Sequence, residues 1–175
     1  MLAQIISHTP LWVWAIFVAL LWLGGSQLLP RRVTLRRITL LPVAMSGLSL
    51  YGVTSAFGSN PVALACWMLA LLATLIAATG RTLPAGTRYH PVERYFSLPG
   101  SPVPLLLMMS IFIVKYAVGA VGASAPQLLH VNGVTEAISL LYGLFSGLFL
   151  SRSFNLWRLA LATTRAAEET AAYPL

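Results

Sequence analysis

Five long apolar runs, separated by short polar segments, dominate the pattern of the chain. About 20 predominantly apolar residues are enough to cross the hydrocarbon core of a bilayer as a helix, and each run has about that length. We therefore predict an all-α fold, a polytopic transmembrane helix bundle with five spans in one integral-membrane domain over residues 1–175. The predicted spans are 10–29, 38–57, 61–79, 102–122 and 133–151.

Two of the segments outside the spans have patterns of their own. In the connection 80–101, the runs TRYH and RYFSL favour strands and are separated by turn-prone residues, which predicts a short β-hairpin in the loop between spans 3 and 4. The tail 152–175 is helix-prone. It either continues the fifth helix into the cytoplasm or bends along the membrane interface as an amphipathic segment.

Composition strengthens the membrane assignment. The chain is 58% hydrophobic and 9% charged, whereas soluble domains contain about 25% charged residues. The net charge is +7, but ten of the eleven basic residues are arginines in short segments beside apolar runs. The positive-inside rule explains basic residues at such places, so we expect a lipid bilayer and no nucleic acid as the partner.

The arginines also predict an orientation, because they follow spans 1, 3 and 5 only. Segment 31–37 contains four, segment 80–101 three and the tail three, while the lead and the other two connections contain none. This places the N-terminus in the periplasm and the C-terminus in the cytoplasm. The densest cluster is a topology determinant or a site for anionic lipid headgroups. It consists of Arg31, Arg32, Arg36 and Arg37.

Two ionisable residues lie inside the predicted spans. Lys115 lies in span 4, about 10 Å from its outer end, and Glu136 lies about 5 Å into span 5. Such residues usually pair or face a wet cavity. Three alternatives remain: an ion pair that locks spans 4 and 5, a substrate or proton site, and independent snorkelling of each side chain to the interface.

Small residues recur every four positions along span 5, at Ser139, Gly143, Gly147 and Ser151. Such a stripe lets helix backbones approach closely. It predicts a helix-packing face, whose partner is either a neighbouring helix of the same chain or a second copy in a homodimer.

Signatures of catalysis or of a cofactor are missing from the sequence. We find no metalloprotease, nucleophile-elbow, phosphate-loop or paired-cysteine motif. The three histidines lie outside the spans, where they form neither a haem ligand pair nor a metal site. Cys66 lies in an apolar run and is interpreted as a packing residue. We therefore expect a protein that is not an enzyme and has no cofactor.

Two blocks carry a family resemblance. HTPLWVWAIF begins at residue 8, and LPGSPVPLLLMMSIFIVKYAVGA begins at residue 98. Together with the basic segment after span 1, they resemble a family of small, uncharacterised bacterial inner-membrane proteins over nearly the whole chain. The layout is also loosely similar to that of CcdC-like membrane proteins linked to cytochrome c biogenesis. The resemblance implies the inner membrane as the location and no particular activity.

Two functions follow from these patterns. The first is a structural or accessory protein that packs against itself or a membrane-protein partner through the stripe of span 5. The alternative is a small permease or an ion- or proton-coupled transporter that uses Lys115 and Glu136.

Overall fold

The computed structural model describes residues 10–131 and 133–172. Within these ranges, five helices are long and apolar enough to cross a membrane, as the hydrophobic pattern predicts. The helices are α1 (Leu11–Gly25), α2 (Leu35–Phe57), α3 (Pro61–Ala78), α4 (Val103–Ser124) and α5 (Val134–Ala172). Short 3₁₀ turns follow α1 at Ser26–Leu28 and α4 at Pro126–His130.

The turn between α2 and α3 is tight because its sequence supplies both helix ends. Gly58 follows α2 with a φ of 63°, a conformation that favours glycine. The side chain of Asn60 then caps α3 by accepting hydrogen bonds from the backbone N–H groups of Val62 and Ala63. Pro61 occupies the first helical position, where its missing N–H leaves no bond unmade.

The helices form two unequal groups. α5 packs along α3 and against α2, and their contact contains a core cluster that includes Val53, Trp67 and Leu71. α1 packs chiefly against α4, where the rings of Phe17 and Phe112 lie 5.3 Å apart between centroids. α4 has few contacts with α2 and α5. The seam between α4 and α2 is therefore the loosest part of the bundle.

A small antiparallel sheet lies at one end of the bundle. Its strands are β1 (Arg31–Thr34), β2 (Arg88–His90) and β3 (Tyr95–Leu98), in the spatial order β1-β3-β2 within the described residues. The predicted hairpin corresponds to β2 and β3. The predicted basic loop 31–37 needs correction, because it consists of β1 and the first turn of α2.

The sheet forms because α5 extends far enough to cover it. α5 is 39 residues long, and its Leu156 and Ala160 pack against Val33 of β1 and Phe96 of β3. Of the two alternatives for the tail, the structure shows continuation of the fifth helix as far as Ala172. The end of the predicted tail, residues 173–175, lies outside the described residues.

Candidate functional site

Lys115 projects from the middle of α4 across the loose seam to α2. Its Nζ donates a hydrogen bond of 3.3 Å to the backbone carbonyl of Leu48. Gly52, one turn further along α2, lies beside this contact, and a Cβ at that position would lie 3.4 Å from Nζ, an ordinary van der Waals distance. The lysine side chain is half-buried.

An open cleft of about 420 Å³, called the cavity below, lies beside this lysine. Ligand pockets in proteins commonly measure about 300–1,000 Å³, so the cavity is large enough for a small molecule. α2 and α4 form its two sides, Tyr142 of α5 also lines it, and the 3₁₀ turn after α4 contributes to one end. The lining residues are Gly52, Ser55, Ala56, Lys115, Val118, Gly119, Gly122, Pro126, Leu129 and Tyr142.

The ammonium group of Lys115 is the charged group of the cavity lining. It carries three N–H donors, and in the described part of the chain only the Leu48 carbonyl accepts one of them. Its Nζ lies 6.0 Å from the centroid of the Tyr142 ring, at the outer limit of a cation–π contact. The cavity therefore offers a positive charge with free donors to a ligand.

Tyr142 is held in place by its backbone. Its carbonyl oxygen accepts hydrogen bonds from the hydroxyls of Ser49, at 3.0 Å, and Ser146, at 2.9 Å. Ser49 also accepts a bond of 3.1 Å from the indole N–H of Trp67, which joins α2, α3 and α5. A second cavity of about 20 Å³ lies behind this network and is lined by both Lys115 and Tyr142. It has room for one water molecule.

Glu136 is engaged elsewhere. Its Oε2 accepts a hydrogen bond of 2.7 Å from the backbone N–H of Gly133, in the first turn of α5. A carboxylate at a helix N-terminus is stabilised by the unpaired N–H groups and by the helix dipole. Lys115 and Glu136 thus have separate partners, and the structure does not bring them together as the ion pair that the sequence suggested.

The stripe of small residues on α5 faces α3 of the same chain. A Cβ added to Gly143 would overlap the carbonyl oxygen of Trp67, and one added to Gly147 would lie 2.6 Å from that of Leu71. Ser139 is fully buried, and the Ser151 hydroxyl bonds back to Leu148 within α5. The glycines therefore permit close packing inside the bundle.

The four clustered arginines separate into two faces. Arg31 is half-buried, and its Nη2 donates a bond of 2.7 Å to the side-chain carbonyl of Gln27. Arg32, next along β1, lies on the other side with its guanidinium 5.0 Å from the centroid of the Tyr95 ring. Arg36 and Arg37 are exposed in the first turn of α2.

Sequence reasoning missed several residues that shape the site. Gly52 and Tyr142 both line the cavity, yet neither belongs to a charged pair or a motif in the sequence. The spacing of Gly52 from Ser49 and Ser55 was a usable signal, because these residues lie on neighbouring positions of one α2 surface. The contact of that surface with Lys115 depends on tertiary packing, so the local pattern could not indicate it.

The chain matches a known family model. The model of a family of unknown function, DUF6622, matches residues 1–168, so the chain belongs to that family. The resemblance to an uncharacterised family over nearly the whole chain is thus confirmed. No curated protein and no solved structure matches the chain.

Proposed function

We propose that this protein is a multi-pass protein of the bacterial inner membrane that binds a small anionic ligand in the cavity at Lys115. In this proposal the N-terminus lies in the periplasm and the C-terminus in the cytoplasm. The protein acts by binding or conducting the ligand, and no catalytic step is part of its function.

The outer surface of the bundle supports insertion into a membrane. Large apolar side chains cover it on several helices, including Trp22 at 81%, Ile76 at 74% and Leu40 at 72% exposure. Exposed apolar surface on this scale is unfavourable in water and favourable in lipid. The ten arginines on one side and none on the other support the orientation.

The single observation that carries the proposal is that Lys115 lines the cavity and keeps N–H donors available to a ligand. A positive charge within an apolar bundle is costly unless it is paired or meets water or a ligand. Its carbonyl partner is neutral, and Glu136 is bonded elsewhere. A negatively charged ligand would supply the missing counter-charge.

The position of the cavity along the bundle indicates the side from which a ligand would enter. Lys115 lies nine residues before the end of α4 at Ser124, or about 13 Å along the helix. The other residues that α4 contributes to the lining, up to Gly122, lie toward that end, as do Pro126 and Leu129. This is the end of the bundle that carries no arginine in its connections, so the ligand would enter from the periplasm.

The stripe of small residues on α5 is not available to a partner, which weighs against the accessory role. Gly143 and Gly147 are covered by α3, so a partner helix has no access to them without displacing α3. We therefore do not propose a partner or a homodimer through this face.

Access of water to the cavity tests the proposal. In a variant with Cys66→Ala, single cysteines are introduced as Gly119→Cys, which lines the cavity, or as Ala117→Cys, which is exposed on α4 outside the lining. A membrane-impermeant thiol reagent added from the periplasmic side is expected to label Gly119→Cys and to leave Ala117→Cys unlabelled. Equal labelling of the two, or none at either, would contradict an aqueous cavity that opens to the periplasm.

A further inference from the structure

A second group of cations gathers at the opposite end of the bundle, where β1 meets α5. Val33 of β1 packs against Leu156 of α5. Side chains two positions apart on a strand share a face, so Arg31 points to the same side as Val33. Residues four apart on a helix also share a face, so Arg152 lies one turn before Leu156 on the surface that covers β1. Both arginines therefore lie beside the β1–α5 contact, and the positive charge of Arg152 is near enough to act on Arg31.

Arg37 joins this pair from α2. The hydroxyl of Ser153 donates a hydrogen bond of 2.8 Å to the backbone carbonyl of Ile38, which fixes α5 beside the first turns of α2. Arg152 and Arg37 each directly precede one of these two bonded residues. β1, α2 and α5 thus bring three arginines to one junction, where the charges of Arg152 and Arg37 both act on Arg31. We call it the arginine junction (Arg31, Arg37 and Arg152).

Carboxylates are distant from the arginine junction. The chain contains four acidic residues. Glu93 lies in the β2–β3 turn and shares a hydrogen bond with the Tyr95 hydroxyl, and Glu136 is at the other end of α5. Glu168 and Glu169 lie about 24 Å further along α5 than Arg152. In the part of the chain that the structure describes, no carboxylate acts on Arg31 to balance these positive charges.

The surroundings make this excess of charge costly. Arg31 and Arg152 are both half-buried. Burial, together with the positive charges of Arg152 and Arg37, lowers the pKa of Arg31. Among the described residues, this guanidinium has a neutral partner in Gln27, which is itself only 5% exposed and so holds Arg31 in a defined orientation. Half-buried charges of one sign are normally matched by an anion.

We propose that the arginine junction is a binding site for a phosphate group. Guanidinium groups present planar pairs of donors that match phosphate oxygens, and three of them would neutralise the charge of a mono- or dianion. The site lies where α1 has ended and α2 begins, at the depth of lipid headgroups on the arginine-rich side. The phosphate belongs either to an anionic lipid or to a soluble phosphate compound.

Binding to the purified full-length protein tests this site. The protein is prepared in a neutral detergent free of anionic lipid, and the affinities for short-chain phosphatidylglycerol and for inorganic phosphate are measured by titration at constant ionic strength. Arg152→Gln is expected to weaken binding at least about tenfold, because it removes a charge-assisted hydrogen bond. Arg165→Gln, an exposed position on the same helix, is the control and should leave the affinity unchanged.

A second variant covers the case that Arg152→Gln fails to fold. Arg37 is exposed, so Arg37→Gln should fold normally and still lose affinity. Saturable binding of inorganic phosphate identifies a soluble ligand, and binding of phosphatidylglycerol alone identifies a lipid. The proposal is overturned if neither ligand binds, or if the junction variants bind as tightly as the wild type or no more weakly than Arg165→Gln.

Discussion

The residue that defines the candidate site is a lysine with a neutral partner. Lys115 reaches the Leu48 carbonyl across the seam beside Gly52. A hydrogen bond from a charged donor contributes about 1.5–3 kcal/mol to stability. Half-burying an ammonium group costs an amount of similar or larger size. The lysine is therefore not retained for the sake of stability, which is consistent with a role in binding.

Replacement by an apolar side chain of similar length tests this balance. We expect Lys115→Met to change the free energy of unfolding by less than about 1 kcal/mol, because the lost hydrogen bond is offset by the relief of a half-buried charge. Thermal or denaturant unfolding in detergent measures the change. A loss of more than about 2 kcal/mol would show that Lys115 holds the bundle together, contrary to the proposal.

At the scale of secondary-structure elements, the main feature is the packing of α3 against α5. The contact of α3 with α5 depends on glycines that let two backbones touch, and Gly143 lies directly against the carbonyl of Trp67. The four-residue spacing of small residues indicated such a face in the sequence. Its partner could not be predicted, because the spacing is the same for a helix of this chain and for a second copy.

A matched pair of glycine substitutions measures the importance of this contact. Gly143→Ala is expected to destabilise the protein by about 1–3 kcal/mol, because the new methyl group overlaps the α3 backbone. Gly47→Ala is the control, since nothing lies within 4 Å of a Cβ there. It should be neutral or stabilise α2 by about 0.5–1 kcal/mol through helix propensity. Equal effects of the two changes on the unfolding midpoint would contradict the α3–α5 contact.

Sequence patterns predicted the helices better than the sheet. Length and hydropathy determine an apolar helix locally, so each predicted span corresponds to a helix of the structure. β1 was not predicted, because its two arginines are typical of a basic loop. Its pairing with β3 is a long-range contact that the local sequence does not indicate. The suggested ion pair of Glu136 with a lysine in another span was wrong because of a local interaction. The Glu136 carboxylate accepts a hydrogen bond from the backbone N–H of Gly133 instead.

At the scale of the whole molecule, the two ends of the bundle differ in chemistry. One end contains the cavity with Lys115 and connections free of arginine. The other end contains the sheet, covered by the extended α5, and the arginine junction. The firm packing of α2, α3 and α5 contrasts with the loose seam to α4, and the cavity lies in that seam. This arrangement is compatible with a ligand that enters from one side of a membrane.

Native mass spectrometry of the protein released from its own membrane in mild detergent tests the central claim most directly. We predict that the wild-type protein retains the mass of a small anionic molecule that Lys115→Met, although folded, lacks, whereas a phosphate compound bound at the arginine junction stays on both. Arg165→Gln should retain the ligand and serves as the control for a general loss of positive charge. The same complete set of adducts on the wild type and Lys115→Met, or bare protein in both, would contradict a ligand site at Lys115.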